Sequence, residues 1–208
     1  MPQSTPLTHH FQAVARRRHA PALLLALTLF LALFLGLFVA AGAARATEAD
    51  EIRALAARGD FGAALTRAER AAQADPRDAQ ARFLVGVVLM DMGRDADALA
   101  VFTRLSQDYP ELPDPFNNIA LLHARAGRLE QARQALDAAL RNDPSHAAAR
   151  VNLGQIYLML AVQTWDQAAA VGPLDLPLRR KLDAVRALLD AAPASAGNQS
   201  PAAAAPAR

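Results

Sequence analysis

The feature that most restricts this chain is a period of 34 residues. Gly59, Gly93 and Gly127 stand 34 apart, as do Pro76, Pro110 and Pro144, and Ala64, Ala98 and Ala132. The offsets inside each copy are constant: the alanine follows its glycine by 5 residues and the proline by 17. A fixed period of this length marks an array, whose units stack because none buries its apolar face alone. The residue types say what the unit is. A glycine ends a helix by taking the left-handed conformation without a Cβ clash. An alanine lets two helices cross closely. A proline stops the second helix, because its ring clashes with the preceding turn and it has no amide proton. Each unit is therefore predicted to run helix, glycine turn, helix, proline stop. Asp60 and Asp95 are placed to cap second helices, and Asp78 and Ser145 to cap first helices.

Composition supports an all-α chain. Hydrophobic residues are 53% of the 208, yet aromatics are only 5%, so alanine carries much of the apolar count. Alanine loses no rotamer freedom in a helix, and strand formers are scarce. With no cysteine, disulfides, thiol catalysis, cysteine metal sites and a lipidated N-terminal cysteine are excluded.

The net charge of +2 is unevenly placed. Arg16, Arg17, Arg18 and Arg45 precede residue 47 with no Asp or Glu, leaving 18 basic against 20 acidic residues in the remainder. That remainder lacks the dense basic face of a nucleic-acid binder. The arginine cluster is followed by residues 22–44, ALLLALTLFLALFLGLFVAAGAA, with no charge at all. A positive region before an apolar run is the layout of a secretory signal. Ala44-Arg45-Ala46 places small residues for cleavage between Ala46 and Thr47. The run also has the roughly 20 residues that span a bilayer, so an uncleaved signal anchor is the alternative, with membrane contact through 22–44. Both place the downstream chain on the far side of the membrane. The expected location is the periplasm, free or anchored in the inner membrane.

The 34-residue helix–turn–helix pattern resembles the tetratricopeptide-repeat family. With the glycine at the fifteenth position, copies begin at 45, 79, 113 and 147. The third copy carries Phe116, Ile119, Ala120, Gly127, Ala132, Leu136, Ala139 and Pro144. The second carries Val85, Gly86, Leu89, Gly93, Ala98, Phe102 and Pro110, with Leu105 replacing a usual small residue. The first has Glu48 where an aromatic is common and Ile52 where Gly or Ala is usual. In the fourth, Arg150, Leu153, Gly154 and Tyr157 follow the first-helix pattern, but Ala161 replaces the turn glycine. Trp165, Ala168 and Pro173 then resume the second-helix pattern five residues early. One long helix from 147 to 171 is predicted where a hairpin would turn.

The expected organisation is a signal or anchor segment (1–46) and a repeat domain (47–190), then an Ala/Pro-rich tail (191–208) whose composition predicts disorder. The repeats are expected at 47–78, 79–112, 113–146 and 147–173, with a capping helix at 177–190. Leu178, Leu182, Val185, Leu188 and Leu189 give that last helix one apolar stripe. The resemblance implies an α-solenoid.

No catalytic signature is present: no phosphate loop, nucleophile elbow or paired carboxylates. No His has a second ligand at metal spacing, and His123 reads as a half-buried packing residue. The chain is expected to be no enzyme and to need no cofactor or metal. The resemblance instead implies a concave surface lined by first helices, with their fifth, ninth and twelfth positions facing it. Those residues include Phe83, Val87 and Met90, then Asn117 and Leu121, then Val151 and Gln155. Asn118 and Asn152 match the family's frequent sixth-position asparagine, whose amide either holds a peptide backbone or bridges the local one. Family members that clamp an acidic tail use Lys at the fifth position and Asn at the ninth. Here Phe83, Asn117 and Val151 stand at the fifth and Val87, Leu121 and Gln155 at the ninth, so that clamp is absent. A mostly apolar groove favours a hydrophobic segment or an amphipathic helix. The expected function is an adaptor for other envelope proteins or peptides; the alternative is a self-association module forming a homo-oligomer.

Overall fold

The computed structural model describes residues 48–191, which form eight α-helices and no strand. They are α1 (48–57), α2 (Phe61–Ala74), α3 (Ala79–Asp91) and α4 (Asp95–Asp108), followed by α5 (Pro113–Arg125), α6 (Leu129–Asn142), α7 (Ala147–Val171) and α8 (Leu176–Ala191). The apolar run 22–44, the Ala46–Thr47 junction and all of the predicted tail except Ala191 lie outside the described residues. From α2 onward each helix packs on the next, and α5 also packs on α7.

The three periodic glycines do the work their spacing predicts. Gly59, Gly93 and Gly127 have φ of 79°, 72° and 69°. At each, two hydrogen bonds close the preceding helix in one pattern. Gly93 N–H donates to Met90 O at 3.1 Å, and Arg94 N–H reaches back to Leu89 O at 2.9 Å. Gly127 and Arg128 repeat this to Ala124 O and His123 O, both at 2.9 Å. This double bond satisfies carbonyls that would otherwise be orphaned where the helix ends.

Capping follows the expectation at Asp60 and Asp78, whose carboxylates accept from Ala63 N–H and Ala81 N–H. It departs at the other two. Asp95 lies inside the first turn of α4, behind Arg94, and its carboxylate accepts instead from Arg125 of the next repeat at 3.1 Å. Ser145 bonds back to Asp143, and His146 caps α7, its Nδ1 accepting from Ala149 N–H at 3.0 Å.

Within a repeat, two facing positions trade volume. Ala64, Ala98 and Ala132 have no exposure at the helix crossings. On α3, Gly86 lies under the Phe102 ring of α4; in the next repeat Ala120 shares a cluster with Leu136. Glycine meets the large ring and alanine the smaller leucine, keeping the local volume filled as native packing demands. That same cluster runs on through Ala139 to Ala149 and Ile156, binding α7 to the third repeat. Side chains also tie the second and third repeats to the preceding loop: Tyr109 OH donates to Arg77 O at 2.7 Å, and Asn142 Nδ2 to Pro110 O at 2.6 Å.

α7 runs 25 residues without a break, as the missing turn glycine predicts. α8 returns against it. Leu182 is buried and Leu178, Val185 and Leu189 are half-buried, whereas Leu188 is 57% exposed, so the predicted stripe is narrower by one residue. Among the described residues no helix is long and apolar enough to cross a membrane.

Candidate functional site

The first helices α3, α5 and α7 bring the sequence-derived groove residues to equivalent registers, and burial sorts them. Val151 is 58% exposed; Phe83, Val87, Leu121 and Gln155 are half-buried; Met90, Asn117, Asn118 and Asn152 are buried. Phe83 is engaged inside its own repeat, with its ring centroid 5.4 Å from that of Phe102. The surface offered by this row is therefore mainly Val87, Leu121, Val151 and Gln155.

Beneath that row the amides form part of the fold. Asn152 Nδ2 donates to Asn117 Oδ1 at 2.8 Å, joining α7 to α5 across one repeat period. Asn118 Nδ2 donates to the Asp114 carbonyl one turn earlier, at 3.0 Å. Its Oδ1 is buried and receives no hydrogen bond among the described residues. Sequence spacing placed Asn117 and Asn152 at different positions of their repeats, so only the stacking geometry shows that they pair.

The two described histidines are both used structurally. His123 is half-buried and its Nδ1 accepts from Arg128 Nε at 2.9 Å. Burial first, and then the Arg128 guanidinium, hold its pKa below the ordinary 6.5. His146 adds to its cap a 3.0 Å contact from Nε2 to Asp114 Oδ1, so it links the start of α7 to α5. No group of three metal-ligating side chains occurs among the described residues. A groove of about 610 Å³ lies beside the second half of α7, lined by Leu129, Met159, Val162 and Leu189 together with Gln163, Asp166 and Gln167. Asp166 there pairs with Arg186 of α8. The arrangement offers a row of apolar surface, while its amides are buried and spent on holding the helices together.

Family models described as tetratricopeptide repeat match residues 49–113 and 116–156, together about half the chain. The TPR repeat-containing thioredoxin TTL4 of Arabidopsis thaliana is 36% identical over 99 residues, 48% of this chain and 14% of that protein. The TPR repeat-containing protein YvcD of Bacillus subtilis is 30% identical over 106 residues, 49% of this chain and 22% of that protein. The chain thus spans less than a quarter of the length of either relative. Among solved structures, MamA from Desulfovibrio magneticus is 21% identical, with a TM-score of 0.47, covering 69% of this chain and 76% of that one. A tetratricopeptide repeat protein from Parabacteroides merdae is 20% identical, with a TM-score of 0.48, covering 69% and 60%.

Proposed function

The chain belongs to the tetratricopeptide repeat family, whose members generally mediate protein–protein interaction, and on that premise we propose that it is a non-catalytic adaptor of the bacterial cell envelope. Its ligand is a polypeptide segment held along the first helices. The observation that carries this reading is the row Val87, Leu121 and Val151, apolar side chains at recurring registers that the fold leaves partly or largely uncovered. An apolar row of this kind suits a hydrophobic strand of chain or the apolar face of a helix. The buried Asn117–Asn152 bond beneath it keeps α5 and α7 in register, so the row is preorganised and a ligand loses less on ordering it. The envelope location rests on the arginine cluster and the uncharged run 22–44.

A photo-crosslinking amino acid placed at Leu121 or Val151 in intact cells tests the groove. Crosslinks to one discrete envelope protein are expected, with little from the outer second-helix positions Arg104 and Gln134. Equal yields from all four positions would remove the groove reading. N-terminal sequencing of the envelope-derived protein tests the location: a start at Thr47 means cleavage, an intact N-terminus in the membrane fraction means an anchor, and a soluble cytoplasmic species with an intact N-terminus would refute export.

A further inference from the structure

Three positions that the second helix covers in the second repeat stand open in the fourth. In the second repeat the Phe102 ring of α4 lies over Gly86, and Leu89 beside it is buried. One turn before the glycine, Arg82 donates to the Asp108 carboxylate at 2.5 Å, its guanidinium 5.8 Å from the Tyr109 ring. A ring in a glycine notch and a carboxylate on an arginine thus seat α4 on α3. Two periods later the same positions are Arg150, Gly154 and Tyr157, with arginine and glycine repeated in kind.

Nothing among the described residues fills this second seat. Among the described residues, a Cβ on Gly154 would meet no atom within 4 Å, whereas one on Gly86 would lie 2.6 Å from Phe102. Tyr157 is 52% exposed. Arg150 is exposed, donates to the Pro144 carbonyl and meets no carboxylate among the described residues. The cause is the lost turn. Trp165, which takes Phe102's place in the repeat pattern, stays on the same straight helix, about 16 Å from Gly154 at 1.5 Å per residue. It cannot fold back over the notch, and α8 packs on α7 without covering Gly154.

We infer that this vacant seat on α7 accepts a helix from another protein. The occupant is amphipathic and lies antiparallel to residues 150–157. A bulky aromatic side chain sits over Gly154, and an Asp or Glu about six residues later, the Phe102-to-Asp108 spacing, pairs with Arg150. Charge complementarity argues against a second copy as occupant: six residues after Trp165 stands Val171, and α8 has no aromatic residue. Only α4 carries the pattern, and it is already seated on α3. None of Arg150, Gly154 and Tyr157 belongs to the proposed groove, so this is a second surface.

A stapled peptide copying residues 95–109 tests the seat on the full chain in mild detergent. Its staple joins positions 103 and 107, both exposed on α4, so the helix exists before binding. Dye anisotropy is expected to show saturable binding. Gly154→Leu fills the notch while favouring the helix, and should weaken binding at least about tenfold. Phe102→Ala in the peptide should do the same. Arg150→Glu should weaken it about tenfold, and an Asp108→Arg peptide should restore it. Leu121→Ala in the groove should leave peptide binding unchanged, which separates failure of this inference from failure of the groove reading. The inference is overturned by no binding at millimolar peptide, or by equal binding to wild type and Gly154→Leu. It is also overturned by a peptide-free dimer that Gly154→Leu converts to monomer, since a second copy would then be the occupant.

Discussion

Replacing Gly86 by alanine sets two effects of opposite sign against each other. In a helix interior alanine is favoured over glycine by about 1 kcal/mol. The new methyl, however, would lie 2.6 Å and 2.7 Å from Cε1 and Cζ of Phe102. Carbon atoms prefer about 3.5–4.0 Å, so the ring has to retreat by about 1 Å. It has little room to give: Phe102 is fully buried, and the Phe83 ring of the same helix as Gly86 stands 5.4 Å from it. Overpacking of this kind costs about 1–3 kcal/mol, and it should outweigh the helix gain by about 1 kcal/mol. For a chain of this size that lowers the melting temperature by about 2–4 °C. Gly154→Ala is the matched control, because among the described residues no atom lies within 4 Å of the added Cβ; the helix gain alone should stabilise by about 0.5–1 kcal/mol. Thermal and urea denaturation followed by far-UV circular dichroism measure both. Combining Gly86→Ala with Phe102→Leu recreates the Ala120–Leu136 pair and should recover at least half of the summed losses. A Gly86→Ala protein at least as stable as wild type, or shifts of the same sign at both glycines, would refute the volume-trading account.

Three further outcomes are expected. Asn152→Ala should cost about 1–3 kcal/mol by stranding the buried Asn117 carbonyl oxygen, and adding Asn117→Ala should cost less than the sum of the single changes; additive losses in urea denaturation would mean the amides do not pair. Ala98→Leu and Ala132→Leu, at crossings with no exposure, should each lose about 1–3 kcal/mol against about 0.5 for half-buried Ala63→Leu. Matching melting temperatures for all three would undo that assignment. His123, held below 6.5 by burial and Arg128, stays neutral in the folded chain while the unfolded chain takes a proton. Its contribution is complete above the unfolded value and lost as pH falls through the folded one. His123→Gln should therefore flatten the loss of stability as pH falls below the ordinary histidine value of about 6.5, and an unchanged pH profile would show that the imidazole carries none of it.

Much of the molecule was legible because its determinants are local. A 34-residue spacing of glycine, alanine and proline specifies where helices end, cross and stop. Each of those effects arises within a few residues or between neighbouring helices of one hairpin. The loss of one glycine was likewise enough to predict α7 as a single helix, since nothing between Ala147 and Val171 ends it. Caps were less certain, because Asp95 and Ser145 had competing partners. Arg125 claims the Asp95 carboxylate from the next repeat, and His146 supplies the cap in place of Ser145.

What only the tertiary structure decided is which of the periodic side chains remain available. The family resemblance put Phe83, Met90, Asn117 and Val151 on one expected surface. Packing buries Met90 and Asn117, commits Phe83 to Phe102 and leaves Val151 open. The Asn117–Asn152 bond and the contrast between Gly86 and Gly154 were invisible in the chain, although the two glycines stand two periods apart. Local propensity sets where a helix starts and stops. Whether a notch on it is filled depends on a helix that a distant turn does or does not return to it.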